Sequence, residues 1–206
     1  NTEFLGYEHE SAEANVLLLY KETVKSSTIS EGDRGIIVLD RTPFYGESGG
    51  QVGDIGEIIC GGSVFSVEDT KKHNKTHIHI GTVTKGSFKE GDKVEAKINS
   101  VNRNLIRANH TATHLLQAAL RQVLGSHVKQ AGSIVDPEKL RFDFSHFNSL
   151  SDREIAQIES IINEKIWENI DVTTDIMNIN DAVKMGAMAV FDEKYEETVR
   201  VLTVSG

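Results

Sequence analysis

The chain has 206 residues, a formal net charge of −9, 38% apolar and 26% charged residues, and only 2 prolines. That balance describes a globular protein of one or two domains, and its acidity excludes a globally basic nucleic-acid binder without excluding a local basic strip. No apolar run approaches the ~20 residues of a bilayer span, so no membrane partner is expected. The opening NTEFLGYEHES has no basic region followed by an apolar segment, so no secretory leader is expected either. The missing initiator methionine points to an excised or processed fragment. Cys60 is the single cysteine, which excludes an intramolecular disulfide and fits a cytoplasmic setting. Without a leader, the glycosylation triplet Asn74-Lys75-Thr76 carries little meaning.

In chain order, residues 15–20, 35–40, 55–60, 63–68, 76–82 and 93–98 are short runs rich in β-branched or apolar residues. Turns containing Gly32, Gly61-Gly62 and Gly91 separate them. Such spacing predicts a small β-barrel or sandwich, with 93–98 as the edge that closes it. After Asn99 the period changes. Residues 103–121 read as one amphipathic helix that continues to Leu124 and stops at Gly125. Its apolar stripe is expected through Leu105, Ala108, Ala112, Leu115, Leu116, Ala119 and Val123. Arg103, Arg107, His110, His114, Gln117 and Arg121 fall on the opposite, solvated side.

Residues 127–135 and 140–146 then form a hairpin across Asp136-Pro137-Glu138. Ser151-Asp152-Arg153-Glu154 is a capping box. It opens a helix whose buried side is expected to be Ile155, Ile158, Ile161, Ile162 and Ile166. Residues 172–176 read as a strand, 180–185 as a short helix ended by Gly186, and 198–204 as a last strand. The fold class is α+β: a barrel domain over 1–98, then a domain over 99–206 with helices on a largely antiparallel sheet.

His110 and His114 have the spacing of a zinc-protease helix, but position 111 is threonine, so the general base of H-E-x-x-H is absent and a protease is excluded. Three or four protein ligands make a zinc site, so spacing alone favours a solvated pair. Cys60 reads as a small buried apolar residue. His73, His77 and His79 read as surface residues, and His127 and His146 as hairpin-end neighbours. Residues 41–54, RTPFYGESGGQVGD, are glycine-rich but lack the lysine of a phosphate-binding loop. By composition they form a tight irregular connection.

Three stretches together are similar to one family. RTPFYGESGGQVGD, NHTATHLLQAALRQVLGSHVKQAGSIVDPEKLRFDFSH and KMGAMAVFDEKYEETVRV resemble, in order and spacing, the editing region of the alanyl-tRNA synthetase family. The third departs at Asp192 and Glu196, where the family's glycines are expected. The resemblance implies a β-barrel followed by a domain that hydrolyses tRNA(Ala) mischarged with serine or glycine. It implies Zn2+ held by His110 and His114, with a C-x-x-x-H motif beyond Gly206 supplying the other ligands. It places Thr113 and Gln130 in the editing pocket, and Gly49 and Gly50 in a loop approaching it. From the helix face, Arg103 and Arg107 are expected to meet the tRNA acceptor end. ATP and Mg2+ would belong only to the absent aminoacylation domain, and the rest of the synthetase would be a partner, with no role for DNA. A free-standing editing deacylase and a non-catalytic RNA-binding module remain alternatives, separated by whether C-x-x-x-H follows.

Overall fold

The structure is a computed structural model and describes residues 1–187 and 197–204. Asp192 and Glu196 therefore lie outside the described residues. The first part is built from β1 (Glu3–Phe4), β2 (Ser11–Lys21), β3 (Val24–Ser26), β4 (Thr28–Ser30), β5 (Arg34–Leu39), β6 (Arg41–Thr42), β7 (Gly56–Cys60), β8 (Ser63–His73), β9 (Thr76–Lys85), β10 (Ser87–Lys89) and β11 (Lys93–Ile98). Strands β2, β5, β9, β8, β7 and β11 pair in that order, and β11 returns to β2. The sheet is thus a closed six-stranded antiparallel barrel, a closure that removes its edges.

Period-two alternation drives this closure. Along β11, Val94, Ala96 and Ile98 are buried between exposed Lys93, Glu95 and Lys97. The core gathers Leu19, Ile37, Leu39, Ile58, Phe65, Val83 and Phe88, with Phe44 from the glycine-rich segment and Cys60 partly buried against it. Strand β9 lies between β5 and β8, so its inward side faces the core on both flanks. That corrects the expectation for His77 and His79: they are 6% and 0% exposed.

The remaining elements are α1 (Ser100–Leu124), β12 (Lys129–Val135), β13 (Leu140–Ser145), α2 (Asp152–Trp167), β14 (Val172–Asn178), α3 (Ile179–Lys184) and β15 (Thr198–Val204). The fold is mixed α+β. Asn99 opens α1 by accepting the Asn102 backbone N–H on its Oδ1 at 3.0 Å. Gly125 follows Leu124 at φ +111°, past the end of the helix. β12 pairs with β13, and β14 pairs antiparallel with β15.

The chain divides into two compact units, residues 1–110 with 133–141, and residues 111–132 with 142 onward. The second unit has its own core of Ala119, Leu120, Val128 and Ile158, against which Leu116, Val123, Phe142, Phe144, Ile161 and Ile162 pack. The row expected along α2 is only partly buried: Ile155 and Ile166 are 41% and 52% exposed. Ser151 caps α2 in a complete capping box with Glu154. Ser151→Ala is expected to cost about 1 kcal/mol, read as a lower urea midpoint.

Candidate functional site

Helix α1 buries its expected apolar row only in its second half, where Ala119 is in the second unit's core and Leu116 and Val123 pack against it. Leu105 is 50% exposed, whereas Arg103, Ile106, Thr113, Gln117 and Leu120 are 4%, 0%, 8%, 5% and 2% exposed. With half-buried His110 and Leu124 between and after them, these residues follow three- and four-residue steps. The buried residues of α1 thus include polar as well as apolar ones, and each polar member needs a partner to offset its desolvation.

Arg103 has its partners within the first unit. Its Nε donates to the two Asp54 oxygens at 2.9 and 3.0 Å. Nη2 donates to Asp54 Oδ2 as well. Nη1 donates to the Gly6 carbonyl at 2.7 Å and Nη2 to the Pro43 carbonyl at 3.0 Å. Asp54 in turn accepts the Tyr45 backbone N–H at 2.7 Å. The expectation that Arg103 meets tRNA is thus corrected: its guanidinium is spent inside the protein, fastening the glycine-rich segment to α1. Arg107 is exposed, and its Nη1 lies 3.9 Å from Glu10.

The glycine-rich segment is more ordered than its composition suggests. The Val52 N–H donates to the Val135 carbonyl at 3.1 Å, and the Val135 N–H to the Gly50 carbonyl at 2.8 Å. Gly50 sits at φ +82°, and a Cβ there would lie 2.2 Å from the Ser133 carbonyl oxygen. Only glycine combines that conformation with that approach. Gly49, at φ +58°, faces open space. Between Gly50 and Val52, the Gln51 side chain is 9% exposed and its Oε1 lies 2.6 Å from His110 Nδ1. An amide oxygen only accepts, so Nδ1 carries the proton and Nε2 keeps a lone pair.

His114 stands one turn after His110, in the second unit. Burial holds its imidazole below the ordinary histidine range, which favours the neutral ring that can ligate a metal. Gln130, on β12 in the second unit, has a buried Nε2 with no hydrogen-bond partner among the described residues. His127 and His146 do come together, Nε2 to Nδ1 at 2.9 Å, with Phe147 stacked on His127. Among the described residues no group of three His, Cys, Asp or Glu side chains could enclose a metal ion. His110 and His114 are chemically suited to two positions of a tetrahedral zinc site. Sequence reasoning missed Gln51 and Asp54 as organising residues; their only signal was their place inside the glycine-rich stretch.

Comparison with known proteins places these observations. The family described as tRNA synthetases class II (A) matches residues 1–102. The chain is 50% identical over 204 residues to an alanine–tRNA ligase of Psychrobacter sp. (strain PRwf-1), covering 98% of this chain and 23% of the relative. It is 50% identical over 204 residues to the alanine–tRNA ligase of Nitrosomonas eutropha, covering 98% of this chain and 24% of the relative. It is 48% identical over 206 residues to that of Saccharophagus degradans, covering 100% of this chain and 24% of the relative. The chain thus spans about a quarter of the length of the relatives it matches, and the similarity runs through α1 and beyond it.

Proposed function

We propose, from the premise that this chain belongs to the alanyl-tRNA synthetase family, that it is the editing region, hydrolysing tRNA(Ala) mischarged with serine or glycine. The observation that carries the reading is Thr113, 8% exposed and lying between His110 and His114 on one continuous helix. An alanine-shaped synthetic pocket rejects glycine poorly and one added hydroxyl poorly. A second site that hydrogen-bonds the hydroxyl selects serine positively. Threonine at position 113 has the hydroxyl chemistry, able to donate or accept a hydrogen bond, that such a selection uses.

The reaction is ester hydrolysis: a water oxygen bonds to the aminoacyl carbonyl carbon, the bond to the ribose oxygen breaks, and that oxygen takes up a proton. His110 and His114 would hold zinc, which when bound supplies a Lewis acid for the ester or a polarised water. Gln130, with its buried amide N–H, is assigned to the pocket, and exposed Arg107 to the acceptor end of the tRNA. Gly50 shapes the approach of the glycine-rich segment, and Gly49 leaves its tip open. Ligation of alanine, with ATP and Mg2+, is assigned to other parts of the longer chain, which with tRNA(Ala) are this region's partners in the cytoplasm. No helix among the described residues is long and apolar enough to cross a membrane.

The test is deacylation of Ser-tRNA(Ala), Gly-tRNA(Ala) and Ala-tRNA(Ala) by this chain extended past Gly206 through a C-x-x-x-H segment. Hydrolysis of the serine and glycine esters with sparing of alanine is expected. Thr113→Val, nearly isosteric, should lower the Ser/Ala hydrolysis ratio about 10–100-fold with little change in the unfolding midpoint. An unchanged ratio would remove Thr113 from the specificity role.

A further inference from the structure

We propose that Gln51 is a positioning residue for the editing site: its side-chain oxygen fixes the tautomer and ring orientation of His110, so that the Nε2 lone pair is presented. The proposal rests on the reading of His110 as a zinc ligand. Its geometric basis lies within the first unit. The Gln51 Oε1 to His110 Nδ1 distance is 2.6 Å, and the Gln51 side chain is 9% exposed, so solvent competes little for the bond. The imidazole in water favours the opposite tautomer, with the proton on Nε2, which blocks the nitrogen a metal would use. A partner that only accepts, held at Nδ1, reverses that preference.

The backbone of Gln51 is fixed on both sides. Its N–H donates to the Ser48 carbonyl at 3.0 Å, and the Ser48 N–H returns to the Gln51 carbonyl at 3.2 Å. The flanking residues bond Val135, as described above, and Gly50 permits the close passage beside Ser133. Arg103 fastens the same segment through Asp54, three residues after Gln51. The glycine-rich stretch is therefore a bracket whose working side chain is the one amide that reaches the helix. A bracket of this kind gives the barrel preceding the helix a role: it supplies, from outside α1, the acceptor that orients the ligand.

The decisive experiment uses the 206-residue chain without metal. Long-range 1H–15N spectra of the imidazoles report which nitrogen of His110 is protonated, with His110→Asn assigning the resonances. The wild type is expected to be Nδ1-protonated, Gln51→Leu to shift toward the Nε2-protonated form, and Gln51→Glu, which keeps an acceptor, to remain Nδ1-protonated. An Nε2-protonated wild type, or a Gln51→Leu spectrum like the wild type's, would overturn the proposal. Should Gln51→Leu not fold, the wild type and Gln51→Glu decide it. Zinc titration of the chain extended past Gly206 through a C-x-x-x-H segment is the second readout: Gln51→Leu should weaken affinity 10–100-fold and Gln51→Glu only a few-fold, and equal affinities would again overturn it. An extended wild type that takes up no zinc overturns the reading of His110 as a ligand, and the spectra then judge the Gln51 contact on its own.

Discussion

Replacing Arg103 by leucine is expected to destabilise the first unit by about 3–5 kcal/mol, because it leaves a buried carboxylate without its counter-charge. The Arg103 and Asp54 side chains are 5% and 2% exposed. Removing the arginine strands not only Asp54 but the carbonyls of Gly6 and Pro43, which Arg103 also satisfies. Arg103→Lys should recover little. An ammonium keeps the charge but lacks the planar fork that reaches a carboxylate and two carbonyls in separate directions. The double variant Arg103→Leu with Asp54→Leu should be less damaged than the sum of its single variants, since neither charge is then left alone. Urea unfolding at neutral pH measures all of these. A stable Arg103→Leu protein with impaired tRNA binding would restore the view of Arg103 as an RNA contact and refute the structural role.

Arg103 also shows where sequence patterns fail. Two rows on α1 satisfy helical spacing, one apolar through Leu105 and Ala108, the other polar through Arg103, His110 and Gln117. Hydropathy selects the first; the fold exposes Leu105 and Ala108 at its start, packs Leu116, Ala119 and Val123 in the second unit's core, and buries Arg103 and Gln117 of the second. The reason is long-range pairing: Asp54 is 49 residues from Arg103, and Gln51 is 59 from His110. No local window contains both members of either pair. By contrast, what rests on local chemistry was legible. Alternation marked β11 and β13, the capping box marked α2, and Gly125 marked the end of α1. The spacing of His110 and His114 was equally visible, whereas Gln51 sat in a stretch that composition describes only as an irregular connection. The inward turn of His77 and His79 was hidden for the same reason as the face of α1. Histidine reads as polar, and His79 is buried because Thr42 and Ile37, 37 and 42 residues away, bond both ring nitrogens.

That pairing leads to the second large effect, a loss of barrel stability on mild acidification. The His79 ring is fully buried, edge-on to Phe44. Because the Ile37 carbonyl only accepts, Nδ1 donates to it at 2.9 Å, and Nε2 accepts the Thr42 hydroxyl at 2.8 Å. The Thr42 oxygen is itself tied to the Phe44 backbone N–H at 3.2 Å. Protonating Nε2 would end its acceptance of the Thr42 O–H and place a charge in the core. Burial accordingly lowers the His79 pKa from 6.5 to about 4, the Ile37 bond opposing and His77 adding slightly. Burial, with Lys72 nearby, lowers His77 to about 4 as well. The unfolded chain binds these protons near pH 6.5 and the folded chain does not. Stability is therefore complete above pH 6.5, declines as pH falls, and levels off below about 4. For His79 alone the loss should reach about 2–3 kcal/mol by pH 4.5. The carboxyls of Asp33, Asp40 and Glu154, held below their ordinary values by hydrogen bonds, act in a lower window, so the two effects separate. Urea unfolding between pH 7 and 4.5 should show a steep slope in the wild type and a shallower one in His79→Gln. Equal slopes in the two proteins would mean that His79 is not held neutral in the barrel.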